Sequence, residues 1–202
     1  MVDKIGSAGR PSASAATGTS TSTRYIQGHS MADATAVPTK MAQSKRVFTK
    51  NLTAHIVADL LITFCNRHGD LLTNLRLQRL LYYAQAWHLA LYNEDLFRDD
   101  FQAWVHGPVQ PDVYVRFQPH GTGLIDCEPP PWVVAKRIEQ HIEHVMEVYG
   151  RFSAYDLERI ACDEEPWREA RRGLAIDDPA TRSIDKGTMK RFYESKLEQE
   201  KA

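Results

Sequence analysis

With 202 residues, 43% hydrophobic and 9% aromatic, the chain has the make-up of one globular domain plus a tail, large enough to build a core without staples. The net charge of −1 is unevenly spread: residues 1–46 carry +4, which leaves −5 for the rest. An acidic body collects phosphates poorly and so argues against nucleic acid as a partner, and the lack of any run of 18 apolar residues argues against a transmembrane helix or a membrane partner.

Residues 7–24, SAGRPSASAATGTSTSTR, hold no large apolar side chain to offset the entropy of ordering. Residues 1–48 are therefore expected to form a disordered Ser/Thr/Ala-rich tail, with Met31 and Met41 as alternative starts to Met1 and no signal peptide. A folded domain is expected over 51–198. Its cysteines, Cys65, Cys127 and Cys162, are odd in number and widely spaced, which is no disulfide framework. Cys65 and Cys162 sit in helical patterns where reduced thiols pack well, and this points to the cytoplasm.

In chain order, Ile56, Val57, Leu60, Leu61, Phe64 and Cys65 share a face of a helix that Thr53 caps and Gly69 stops. A second helix is predicted over 74–92, with Leu77, Leu80, Leu81, Ala84, His88 and Leu91 on one face and Tyr83 and Trp87 beside it. So few positions are polar that it should be central. Phe97, Phe101, Ala103 and Val105 alternate as in a strand, and His106-Gly107-Pro108 should break it. A short helix follows over 111–118, then a Gly/Pro loop with a second strand at 124–127. Later helices are predicted over 133–149, from Ser153, at Pro166-Trp167, and over 185–198. The expected fold is mainly α: a compact single-domain helical bundle with a short β-hairpin around residues 96–127.

No phosphate-cradling loop, nucleophile elbow or H-E-x-x-H is present. His141 and His144, three apart on a helix, would place two imidazoles on one side of a metal. Cys127 and Cys162 are the only soft ligands to join them, so a solvated face is the favoured reading and neither metal nor cofactor is expected. His88 reads as a hydrogen-bonded core histidine sooner than as a base or proton switch. His106 is expected in an exposed loop, with no nucleophile beside it in sequence. The run Asp163, Glu164, Glu165 reads as the solvated first turn of a helix, or else as a site for a cation or basic partner. Lys186, Lys190, Arg191 and Lys196 are balanced by Asp185, Glu194 and Glu198 as on a salt-bridged exposed face.

Three stretches carry further. Residues 74–85 read NLRLQRLLYYAQ, followed by Trp87-His-Leu-Ala; residues 101–109 read FQAWVHGPV, followed by Pro111, Val113 and Tyr114; then come Tyr149-Gly150, Ser153, Leu157 and Glu165-Pro-Trp. In order and spacing they resemble the Panacea domain of SocA-like antitoxins, a family found in many phage and mobile-element proteins, over nearly all of 51–197. The family often reads Leu-Thr-His before its Pro-Trp, where this chain has Ile160-Ala161-Cys162. The resemblance marks Gln78, Leu81, Tyr82, Trp104, Gly107, Pro108, Val109, Tyr114, Pro166 and Trp167 as fold-defining. Gly107-Pro108 should fix a sharp reversal. Trp104, Tyr114 and Trp167 should lock it onto the helices, and Gln78 and Gln85 should hydrogen-bond buried loop backbone. A buried Trp104 would cost about 3–5 kcal/mol on truncation to alanine.

The resemblance implies an antitoxin, not an enzyme. It would neutralise a cognate toxin encoded by a neighbouring gene through direct binding, by sequestration or as an adaptor to an AAA+ protease. The alternative is a phage or mobile-element protein with an unrecognised enzymatic activity around His106 and the acidic run. Trp87, Tyr92 and Trp132 are the candidate partner-binding residues, because aromatic anchors dominate interfaces.

Overall fold

A computed structural model describes residues 47–48 and 51–201. The expected tail and its alternative starts lie outside the described residues, save for Val47–Phe48, which form a two-residue strand, β1.

Helix α1 (Ala54–Arg67) begins where the Thr53 hydroxyl accepts the Ile56 amide at 3.4 Å. Val57, Ala58, Leu61, Ile62 and Cys65 are buried, with Ile56, Leu60 and Phe64 at the edge of the stripe. Gly69, at φ 69°, turns the chain beyond the helix end. Helix α2 (Asn74–Tyr92) is capped by Thr73 and closed by Asn93 in the left-handed conformation. Residues 77–86 are buried without a break, because α1, α4, α5 and α7 all pack on this helix. It is the expected central helix, although Leu91 at its end is exposed.

The chain then runs extended to a hairpin much tighter than expected. Strand β2 (Gln102–Trp104) pairs antiparallel with β3 (Gly107–Val109), with Trp104 opposite Gly107 and Ala103 opposite Pro108. Val105-His106 is the two-residue turn, and Gly107-Pro108, expected to end regular structure, belongs to the return strand. Two details reconcile this with chain chemistry. Gly107 has φ 108°, which a residue without Cβ adopts freely. Pro108 faces Ala103, whose own amide points away from β3 to the Arg182 carbonyl at 2.8 Å; at such a pair position the strand loses no ladder bond to proline.

The second strand expected at 124–127 is not formed; only an isolated bridge joins Leu124 to Thr73. Strand β4 (Trp132–Val133) pairs parallel with β1 instead. This extended pair delays α4, which spans Lys136–Tyr149 and not the 133–149 expected. Between the hairpin and β4 lies α3 (Pro111–Phe117), with proline in its first turn and the Gln110 side chain accepting the Val113 amide at 2.7 Å. A reciprocal Ser153–Asp156 capping box opens α5 (Ala154–Asp163), and α6 (Glu165–Ala170) follows at once. Helix α7 (Lys186–Lys201) starts from Asp185, whose carboxylate accepts the Thr188 amide at 2.6 Å. The described residues thus form seven α-helices with α2 at the centre and a small antiparallel hairpin on one side. Among them no helix is long and apolar enough to cross a membrane.

Candidate partner-binding site

Three polar side chains on α2 organise the backbone around the hairpin. Gln78 accepts the Gln110 amide at 2.8 Å. Gln85 accepts the amides of Leu96 and Phe97 at 3.0 and 3.2 Å and donates to the Phe97 carbonyl at 3.2 Å. Both glutamines therefore hold buried loop backbone, as their spacing implied. The third, Arg79, was not singled out from sequence. It is wholly buried, donates through Nη1 to the Pro108 carbonyl, and lies flat under Gly107. Burial pushes its guanidinium down to about 10, with Cys162 and Glu158 nearby acting in the opposite sense. Its Nε and Nη2 have no hydrogen-bond partner among the described residues. An arginine amid the uninterrupted apolar face of a helix was the signal available.

Helix α6 fastens the hairpin from the other side. Trp167 is 8% exposed and donates its indole N–H to the Trp104 carbonyl at 3.0 Å. Arg171 donates to the Ala103 carbonyl at 3.1 Å. Pro166 is buried with it, and Leu81 and Tyr82 lie wholly in the core. Trp104 and Tyr114 behave differently. Their rings meet edge-on at 5.0 Å, the Trp104 indole N–H bonds Gln102 at 2.8 Å, and both are only half-buried. Since a ring that stays partly hydrated has less burial to lose, Trp104→Ala is expected to cost about 1–2 kcal/mol in chemical denaturation and not the full value of a buried tryptophan. A loss above about 4 kcal/mol would show that the ring is a core anchor after all.

These two rings face a cavity of about 840 Å³, open on one side. Leu75, Val105, Val109 and Ala154 complete mainly apolar walls, and Arg79 and the 179–181 segment also line the cavity. Leu75 stands exposed at its mouth, and Leu71 and Leu124 are exposed apolar residues next along the chain and across the Thr73 bridge. The polar residues Asn74 and Gln78 in the same wall are satisfied: Asn74 donates to the Tyr114 carbonyl at 3.0 Å and accepts from Gln78 at 3.3 Å.

The three aromatic candidates for partner contact are dispersed among separate side-chain groups. Trp87 donates to the Tyr149 hydroxyl at 2.8 Å and packs edge-on against Tyr193. Trp132 donates to the buried Asp59 carboxylate at 2.9 Å, which also holds Arg116 at 2.6 Å. Tyr92 is exposed, with the Arg137 guanidinium over its ring.

The histidine and acidic candidates also fall into place. His141 points inward and donates to the Ala84 carbonyl at 2.8 Å, whereas His144 is exposed beside Glu147; the two do not converge on one point. Among the described residues no group of three or more His, Cys, Asp and Glu could hold a metal. Cys162 is half-buried, its thiol pushed up to about 11 by burial. His106 is exposed and sits 3.0 Å from Glu158. Glu164 is not solvated as the acidic run suggested: it is buried and accepts Tyr193 at 2.6 Å and Lys196 at 2.8 Å, tying α6 to α7. Lys190 and Glu194 do form the expected helical pair, at 3.5 Å, while Lys186 turns to Asp95 and Asp100.

His88 and His141 meet edge-on at 5.1 Å between α2 and α4. His88 donates to the Glu94 carbonyl at 2.9 Å. Burial lowers both, with His141 brought to about 4 and Arg137 and the neighbouring histidines adding to the effect. An unfolded chain takes up protons on these rings from about pH 6.5, well before the folded protein does. Stability should therefore fall as pH drops from about 6.5 towards 4, by roughly 3 kcal/mol if His141 carries the whole shift. Melting temperatures at pH 7 and 4.5 check this: His141→Gln should flatten the dependence, and an unchanged slope would contradict it.

Comparison with known proteins gives a family match over part of the chain. Residues 77–168 match the family described as "Antitoxin SocA-like, Panacea domain". That span runs from α2 through the hairpin to α6 and includes Gln78, Arg79, Gly107 and Trp167. Antitoxin SocA of Caulobacter vibrioides (strain NA1000 / CB15N) is 36% identical over 76 residues, 38% of this chain and 40% of that protein, so the likeness spans less than half of either. No solved structure matches significantly.

Proposed function

We propose that this chain, whose residues 77–168 carry a SocA-like Panacea domain, is the antitoxin of a toxin–antitoxin system and neutralises its toxin by direct binding. The observation that carries the reading is the family match over the α2–hairpin–α6 frame, joined by an open apolar cavity with half-exposed aromatic walls at that frame. Rigid aromatic and apolar pockets of this kind are where protein partners gain most of their binding energy. The enzymatic alternative around His106 and the acidic run gains no support, because Glu164 is committed to Tyr193 and Lys196.

Sequestration needs one binding surface and an adaptor needs two, so sequestration is the simpler mechanism. Tagged chain should co-purify with the product of an adjacent gene when both are expressed. If it sequesters, toxin persists as an inert complex in cells lacking the AAA+ protease; if it is an adaptor, toxin half-life shortens as antitoxin rises, and only where the protease is present. Failure of every neighbouring product to bind would remove the antitoxin reading.

A further inference from the structure

We propose that the cavity between the first turns of α2, the hairpin and α3 captures the C-terminal residue of a partner polypeptide, with its apolar side chain against Leu75, Val109, Trp104 and Tyr114 and its carboxylate on Arg79. The polypeptide nature of the partner rests on the antitoxin reading; the chemistry of the ligand rests on the cavity alone.

Two features together define that chemistry. The first is the wall. At about 840 Å³ and mainly apolar, the cavity suits a bulky hydrophobic group. The second is the charge behind it. Arg79 is wholly buried, no described carboxylate forms an ion pair with it, and two of its donor nitrogens have no partner. Leaving guanidinium donors unmatched in an apolar interior is costly, and such groups are found where a ligand supplies the missing acceptor. The other buried polar side chains of the wall, Asn74 and Gln78, already have partners, so the unmet demand is for an anion at Arg79.

A carboxylate matches guanidinium geometry through two parallel bonds. An internal Asp or Glu brings that carboxylate on a side chain with little apolar bulk to fill the cavity. A C-terminal apolar residue carries both groups on one carbon. Arg79 lines the cavity, but its free Nε and Nη2 are shielded from solvent, so the carboxylate reaches them only when a wall side chain swings outward. Trp104, half-exposed and tethered to the hairpin's own Gln102, is the wall residue able to do so.

The full chain should be titrated with N-acetyl-L-phenylalanine and, separately, with its carboxamide, following the Trp104 indole and Gly107 amide resonances by NMR. The acid is expected to shift both saturably, and the amide to bind at least about tenfold more weakly, a difference of about 1.4 kcal/mol. Leu75→Asp, which sets a negative charge at the mouth, and Ala180→Trp, which fills the cavity from its lining, should each abolish the response while leaving the melting temperature near that of the parent. Equal binding of acid and amide, no shift at Trp104, or an undiminished response in both variants would overturn the proposal. In a second arm, the neighbouring gene product is tested with and without its last three residues. Loss of complex on truncation supports the polypeptide source. An undiminished complex together with acid binding overturns that source and leaves a free amphipathic acid as occupant. If the intact product does not bind at all, the antitoxin reading fails while the probe titration still decides the cavity.

Discussion

Gly107→Ala should remove about 3–5 kcal/mol of stability, a large part of the margin of a domain this size. Two costs combine. Gly107 has φ 108°, outside the range an alanine adopts without strain. A Cβ built there would also lie 2.9 Å from Cζ and Nε of Arg79 and 3.0 Å from Nη2. The guanidinium cannot yield easily, since the side chain is wholly buried and its Nη1 is held by the Pro108 carbonyl in the very next residue. Urea denaturation of the variant checks the value. A loss below about 1 kcal/mol would mean that Arg79 moves freely, and would also weaken the case for a pre-formed anion site.

Trp167→Ala is expected to cost about 3–5 kcal/mol, two to three times more than Trp104→Ala. Trp167 is 8% exposed, so the variant loses the burial of nearly a whole indole ring and leaves a cavity in its place. Its truncation also leaves the Trp104 carbonyl without its indole donor and strips the face over which the Arg171 guanidinium lies, 5.1 Å from the ring centroid. Trp167→Phe should recover about half of the loss, because bulk returns and the hydrogen bond does not. If Trp104→Ala proves the more damaging of the two, the division between a closed α6 face and an open hairpin face is wrong.

That division shows where sequence reading succeeds and where it stops. The starts of α1 and α5 were legible because Thr53 and Ser153 each act on an amide three residues away, and the buried stripes follow helical period. The fold class, mainly helical with a small hairpin, follows from the same local signals. The hairpin's register did not. The alternation of Phe97, Phe101, Ala103 and Val105 reads as one short strand, yet Phe97 and Phe101 are buried by other means. Gln85 holds the backbone at 96–97, and the Phe101 carbonyl accepts the Ile184 amide at 2.8 Å from far along the chain.

The site itself was half legible. Gln78 and Gln85 hold buried loop backbone and Trp167 fastens the hairpin, as their residue types suggest, whereas Gly107 lies in the return strand and not at the reversal itself. Arg79 and Glu164 were missed because local pattern reads a charged residue as a solvated one. Only the packing of β3 on Arg79 and of α7 on Glu164 buries them. Trp104 and Tyr114 erred the other way: large rings read as core, while the fold leaves each half open to a cavity.

Neutralisation by binding is measured most directly by growth. Each neighbouring gene is expressed alone from a tunable promoter, then with this chain at increasing dose. One product should arrest growth by itself, growth should return when the chain reaches about equal stoichiometry, and the pair should co-elute as a complex. If no neighbouring product is toxic, or if toxicity persists at excess chain with the partner unbound, the protein is not an antitoxin of this kind.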